Sequence, residues 1–487
     1  MIKRHFGDKI KEKSGDTILE SIRKRILLKK PARASVWYIG SSAVARFIGA
    51  LGTPIFTRLL TPEEYGLYPL YNTWLGVLSV VITLEITGAA IYRGIQRHKD
   101  NVDEFISAAF GLILLTFAVF CLLYFTFSSQ IGNLTGLSVQ TIFLMLLQIL
   151  ATSVVSLYTA RARFEYRYKA VAALNLSSAV IIPLISVLLI LTTQYRAAAR
   201  IIASSLTIFF TALPICVIIL RKSWRLYSKE IWAYLLRVSV PLLPHYFGTA
   251  LILKIGEIMI SRTSGQVTLG RYSVALSLGM SPTIVTSGLL SALSPWIIRK
   301  MKAGMTAEIR DMLLLCIKVL CILCLGLLAV APEAMAILSS EGFRSSLPAV
   351  YPLALSVIPA FLSSALMSSG VYFEKSGRSA LPSLIAATVS SLLSILLLPY
   401  VDYRYVSVFV LISYVTLAAF NILTLKRLAH EAPIHLHATL SVFLLTVGYA
   451  ALLFVLRDVL ISRFLLALPL LPALLYVGRD VYGKIKE

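Results

Sequence analysis

Charge is what this chain has least of. Only 14% of its 487 residues are Asp, Glu, Lys or Arg, against about 25% in an ordinary soluble domain. Acidic residues are the scarcer half, 23 against 46 basic ones. So few charges cannot cover a water-soluble surface of this size, and a soluble fold is excluded. Long polar stretches are also missing, which leaves no room for a soluble catalytic, ATP-hydrolysing or DNA-binding domain. Cysteine is sparse, and Cys121, Cys216, Cys316, Cys321 and Cys324 all sit inside apolar runs. Cys321 and Cys324 have C-x-x-C spacing but lie among Ile and Leu with no His nearby, so they read as small core hydrophobes rather than metal ligands. No apolar stretch precedes Ala34, and no signal peptide is expected.

What is present is hydrophobic length. The chain is 58% hydrophobic, in blocks of about 20 residues, each long enough to cross a ~30 Å hydrocarbon core at ~1.5 Å per residue. Hydropathy predicts fourteen transmembrane helices, at about 34–58, 67–91, 104–127, 139–160, 170–193, 198–220, 237–261, 272–298, 307–331, 349–373, 381–399, 404–424, 438–456 and 464–480. Prolines at 382, 399 and 469 interrupt the last four. The expected fold class is an all-α polytopic membrane protein.

Loops on alternate sides differ sharply in charge. One side collects 34 of the 46 basic residues and the other nine, so the positive-inside rule puts both termini in the cytoplasm. The net charge of +23 is therefore mainly a topology signal, and no nucleic-acid partner is expected. At the N-terminus, Thr17 and Glu20 form a capping-box pattern that opens a basic amphipathic helix. It is expected to lie on anionic membrane lipids.

The chain also repeats itself. Gly52, Arg58, Gly66 and Tyr68 recur as Gly256, Arg262, Gly270 and Tyr272, each displaced by 204 positions. An even number of spans separates the copies, so the duplication is parallel, about an axis along the membrane normal. Arg58 and Arg262 stand where a span leaves the membrane, placed to snorkel to phosphates or to meet a substrate, and Gly66 and Gly270 read as turn residues.

Three basic residues fall well inside spans, Arg46, Lys254 and Lys318, with two acids, Glu85 and Glu257. A charge at mid-bilayer costs about 2.5–3.5 kcal/mol on insertion scales, so such residues face a bundle interior or a wet cavity. Lys254 and Glu257, three apart, share a helix face and either neutralise each other or serve transport. Arg46 has no intrahelical partner, and a bridge to Glu85 is its structural alternative. Lys318 reads as a charge-pairing group or a lone snorkeller. Pro241 and Pro244 before His245 favour a broken helix and a gate element. His430, His435 and His437 cluster on the basic side with too few carboxylates for a metal site, and no cofactor is expected.

The run Gly52-Thr-Pro-Ile-Phe-Thr-Arg58-Leu-Leu-Thr-Pro-Glu-Glu-Tyr-Gly66-Leu-Tyr68, with a Leu-Pro-rich seventh span followed by Gly270-Arg-Tyr272, resembles the Wzx-type O-antigen and exopolysaccharide flippases. These belong to the multidrug/oligosaccharidyl-lipid/polysaccharide exporter superfamily. The resemblance implies two six-helix bundles in a MATE-like V, plus two C-terminal helices. The layout is then a basic segment over 1–33, bundles over 34–220 and 237–424 joined by a cytoplasmic linker over 221–236, and two extra helices with a tail over 425–487. It also implies alternating-access transport of polyprenyl-pyrophosphate-linked oligosaccharide across the bacterial inner membrane, coupled to H+ or Na+ and working beside glycan polymerase machinery. Related lipid II flippases share Arg46 and Gly49 as Arg-x-x-Gly, but Gly52 stands where they carry a second basic residue.

The residues suit such a substrate. Arg46 and Lys254 offer a fork and a point charge for pyrophosphate. Trp37, Tyr38, Asn72, Trp74 and His245 offer polar or aromatic faces for sugars, and Glu85 or Glu257 is placed to titrate. An ion-coupled multidrug exporter is the first rival, disfavoured by three basic against two acidic residues in mid-span. A membrane glycan polymerase or ligase is the second, disfavoured because the longest outer loop holds only Glu333, Glu341 and Arg344.

Overall fold

The computed structural model describes residues 37–371 apart from 39, then 380–429, 433–470, and 472, 473 and 479. The basic segment over 1–33, the loop with Lys375 and Arg378, His430 and the lysines of the tail lie outside the described residues.

Helices fall on each of the fourteen expected spans, although the end of the last lies largely outside the described residues. After α1 (40–59) come α2 (Pro62–Thr83), α3 (Ile91–Arg97), α4 (Val102–Thr126), α5 (Ser128–Thr135), α6 (Val139–Phe164), α7 (Tyr168–Thr192), α8 (Ala199–Lys222) and α9 (Lys229–Ser239). The chain continues through α10 (Leu243–Gly279), α11 (Thr283–Lys302), α12 (Thr306–Ala329), α13 (Ala331–Leu338), α14 (Leu347–Val371), α15 (Ala380–Leu397), α16 (Val406–Ala429), α17 (Leu436–Val455) and α18 (Leu460–Ala467). Ten helices among the described residues are long and apolar enough to cross a membrane. Helices α1, α2 and α11 are not among them, because they carry more polar residues, and these are helices that line the central cavity.

The chain forms two helical halves, α1–α8 and α10–α16, with α17 packed on α12. Local chemistry sets the boundaries. Thr61 caps α2 in a reciprocal capping box with Glu64, and Pro62 occupies the first turn, where its missing N–H is no loss. Gly265, at φ 79°, breaks α10 into two spans, a conformation that L side chains avoid. Between α9 and α10, Pro241 sits in a short 3-10 turn and Pro244 in the first turn of α10.

Two elements depart from the sequence reading. The second span is not continuous, because Leu84 and Glu85 are both left-handed at φ 49° and a π turn over Ile86–Ala90 follows. The segment 221–236 is not a free linker either. Helix α9 buries Ile231 and Leu235, and Trp232 Nε1 donates to the Ala108 carbonyl at 2.9 Å.

The N-terminal half is also tied by a buried polar knot. Tyr71 Oη donates to Gln148 Oε1 at 2.7 Å and lies 2.9 Å from Ser205 Oγ, joining α2, α6 and α8. On the periphery, Leu184, Leu188 and Leu191 of α7 are exposed, as expected where the solvent is lipid.

Candidate functional site

The halves meet along α2 and α10, and a cavity of about 640 Å³ lies between them, lined by α1, α2, α8, α10, α11, α14 and α16. Lys254 and Glu257 both line it. Lys254 Nζ lies 3.0 Å from Glu257 Oε1, and Glu257 is 2% exposed. Thr73 of α2 donates to the other carboxylate oxygen, so Glu257 ties the two halves together. Lys254 is therefore not a free cation.

Arg46 makes no bridge to Glu85. Its Nη1 donates to Ser287 Oγ at 2.8 Å and to the Thr283 carbonyl at 3.4 Å, both on α11 of the other half. It has no acidic partner among the described residues, and it stands beside the cavity, which Gly49 and Thr283 line.

The cation inside the cavity is one that the sequence reading did not single out, although it falls within the predicted span over 198–220. Arg200, in the first turn of α8, lines the cavity. Its guanidinium carbon lies 3.9 Å from the ring centre of Tyr68, 4.3 Å from Phe56 and 5.2 Å from Tyr65. Nη1 is buried and makes no hydrogen bond, and no carboxylate pairs with it among the described residues. An aromatic cage holds such a charge without neutralising it. The legible signal was the spacing Arg200, Ser204, Thr207, a polar stripe on one face of an otherwise apolar helix.

Arg58 and Arg262 tie the two halves together rather than line the cavity. Arg58 Nη2 donates to the Ile337 carbonyl at 2.9 Å, and Arg262 Nη2 to the Leu134 carbonyl at 2.6 Å. Each repeat arginine thus crosses to the opposite half and caps the penultimate carbonyl of an eight-residue helix, α13 or α5. There the helix dipole favours a cation and carbonyls lack intrahelical partners. The repeat glycines meet between these latches. A Cβ on Gly66 would lie 2.1 Å from the Gln266 carbonyl oxygen, and one on Gly270 2.2 Å from that of Pro62. They are not turn residues; they are the crossing point of α2 and α10.

The remaining candidates divide. Asn72 lines the cavity. Trp74 is buried in the core at 8% exposure, so it offers no stacking face. His245 Nδ1 lies 3.0 Å from Ser383 Oγ, tying α10 to α15 outside the cavity lining. Trp37 stacks on Tyr168, and Tyr38 lies under Arg163. Lys318 is half-buried on α12 and does not line the cavity. Glu85 lines a separate, smaller cavity.

Two helical halves around a cavity, with ten helices long and apolar enough to cross a membrane among the described residues, define an all-α polytopic membrane fold. Solved structures agree on the fold. The chain is similar to a multidrug resistance MATE family transporter of the MOP superfamily in its inward-facing conformation, at TM-score 0.59 and 16% identity over 80% of this chain and 98% of that one. The outward-facing conformation of such a transporter gives 0.58 and 15% over 82% and 96%. A MOP superfamily transporter from Pyrococcus furiosus Vc1, described as having a binding pocket of reverse polarity that suggests a different function, gives 0.58 and 15% over 82% and 96%. No curated protein sequence matches the chain. The sequence model of the polysaccharide biosynthesis protein family matches residues 32–301, and the chain belongs to that family.

Proposed function

We propose that this protein is a flippase that carries a polyprenyl-pyrophosphate-linked oligosaccharide from the cytoplasmic to the outer leaflet of a bacterial inner membrane by alternating access. The observation that carries this reading is Arg200, a caged and unpaired guanidinium lining the central cavity. A pyrophosphate satisfies its free N–H groups through charge-assisted bonds, strong in a cavity of low dielectric. Arg46 supplies a second cation at the cavity edge, and Tyr65, Tyr68 and Asn72 give sugars faces and polar edges. The lipid tail stays in the bilayer.

By the charge bias, the end closed by Arg58, Arg262 and the crossing glycines faces outside. Substrate is then taken up from the cytoplasm. Export of cationic drugs would call for an uncompensated acid in the central cavity, and the acid there, Glu257, is already held by Lys254. The reversed pocket polarity described for the Pyrococcus furiosus relative supports the view that this fold accepts cavities of either sign.

The test is Arg200→Ala, scored for lipid-linked oligosaccharide held on the inner leaflet with protein level matched. Loss of two charge-assisted bonds predicts a fall in flux of tenfold or more, with partial recovery in Arg200→Lys. Wild-type export by Arg200→Ala would overturn the reading.

A further inference from the structure

A groove of about 710 Å³ opens between α14, α16 and α17. It lies apart from the central cavity: α14 and α16 give Phe361 and Tyr414 to that cavity and Leu355 and Leu411 to this groove, and the two linings share no residue. Its chemistry is split along its length. Asp402, Arg404 and Arg457 stand at one end, just before α16 begins and just after α17 stops. The wall beyond them is mainly apolar, through Leu355, Leu411, Val447 and Ala451. From Arg404 to Leu411 it runs about 10 Å, two helical turns. Arg404 is already held by Asp402, with Nε 2.7 Å from Oδ1 and Nη2 3.1 Å from Oδ2. Arg457 is not held in this way. Its guanidinium carbon lies 4.5 Å from the centre of the Phe454 ring, and it makes no hydrogen bond among the described residues. The carboxylate near it, Asp458 at 3.6 Å, is 84% exposed and does not line the groove. Tyr351 also lines the groove, at 4% exposure, and its hydroxyl is buried without a hydrogen-bond partner. A buried hydroxyl is ordinarily satisfied, so a missing partner calls for an explanation.

We infer that this groove binds an anionic phospholipid, with its phosphodiester at Arg457 and an acyl chain along Leu355, Leu411 and Val447. Two guanidiniums and one carboxylate give the lining a net charge of +1, which one phosphodiester balances through charge-assisted bonds to the unheld arginine. A zwitterionic headgroup adds an ammonium, and no unpaired carboxylate lines the groove to meet it. Tyr351 stands one turn into α14, inward of the charged end, where its hydroxyl can donate to the ester oxygens that follow the phosphate. The charged end lies at helix termini and the apolar wall runs towards mid-span, the direction of a lipid seated in its own leaflet. By the loop charge bias that leaflet is the outer one. About 10 Å of apolar wall covers most of a hydrocarbon leaflet ~15 Å deep and falls well short of a polyprenyl chain. A lipid here touches α17 on one side and α14 and α16 on the other, and so holds an added helix to the C-terminal half. The inference is independent of what the central cavity carries.

The experiment titrates the purified, delipidated full chain in detergent with phosphatidylglycerol, or with phosphatidylcholine of matched chains, and counts bound lipid by native mass spectrometry. The expected result is one saturable site that prefers phosphatidylglycerol about tenfold. Arg457→Gln should weaken phosphatidylglycerol binding about ten- to a hundredfold and abolish the preference, and Tyr351→Phe should weaken it about three- to tenfold. Ala451→Trp fills the groove from a position that is exposed and leaves the charges in place. It should exclude the lipid while keeping the lipid-free Tm, so a folding defect in Arg457→Gln does not decide the outcome. Equal binding of the two phospholipids, or phosphatidylglycerol binding unchanged in Arg457→Gln and Ala451→Trp, overturns the inference. Glycerol phosphate competing as well as the whole lipid overturns it in favour of a free phosphate site, and polyprenyl phosphate displacing phosphatidylglycerol at lower concentration overturns it in favour of the carrier lipid.

Discussion

At the scale of single residues, polarity picked out candidates and side-chain direction sorted them between cavity, core and helix ends. Lys254 and Glu257 were legible as one helix face from their spacing, but which of the two open readings held depended on Nζ and Oε1 lying 3.0 Å apart. Arg200 was missed because it stands two residues into a predicted span, where an arginine ordinarily belongs to the loop. Trp74 has the composition of a sugar platform, yet its indole points into the core; hydropathy carries no information on rotation about a helix axis. The buried pair makes its own prediction. Lys254→Ala leaves Glu257 uncompensated, which costs about 3 kcal/mol, the low end for breaking a buried pair because Lys254 lines the cavity and is only partly buried. Lys254→Met with Glu257→Met should recover most of that loss in thermal unfolding, since replacing both charges removes the desolvation cost.

At the scale of elements, the fourteen helices were readable because lipid demands long apolar runs, and the 204-residue repeat was readable because both copies keep the same small and basic residues. Their role was not readable. Gly66 and Gly270 looked like turn formers, but each lies within a helix where backbone meets backbone. The break at Leu84 and Glu85 has no proline or glycine at the two left-handed positions, so nothing local announces it; each costs about 1–2 kcal/mol. Gly66→Ala forces the Gln266 carbonyl to move and should open the latched end. Arg58→Ala with Arg262→Ala should shift the population the same way by about a hundredfold, roughly tenfold for each of the two charge-assisted hydrogen bonds removed. Cross-linking between cysteines placed on α2 and α10 near the crossing should fall in both variants; undiminished yield would show that these contacts do not hold the end shut.

For the whole molecule, an added pair of helices has to be held against the two halves. The added pair is pinned by Arg463 of α18, which donates to Glu333 at 2.9 and 2.6 Å and to the Ala329 carbonyl at 2.9 Å. Hydrogen bonds from Arg463 hold the Glu333 carboxyl below the usual carboxylate range, outweighing its burial. A depressed acid contributes stability above its unfolded pKa, about 4.3, and that contribution is lost as pH falls through the lower folded value. Protection of α18 amides, taken relative to their intrinsic exchange rates, should thus be high at neutral pH and fall in acid, and Arg463→Ala should show the low protection at every pH. The all-helical fold followed from hydropathy and the family resemblance; this pin did not, because its partners are 130 residues apart.

The place where α2 crosses α10 has a kinetic consequence. Scissors riveted at the tip cannot part at the tip: for that end to open, the rivet itself must come undone. Two interlocked backbones without side chains between them separate all at once or not at all, so parting of α2 from α10 should be an abrupt, activated event whose waiting time is set at Gly66 and Gly270.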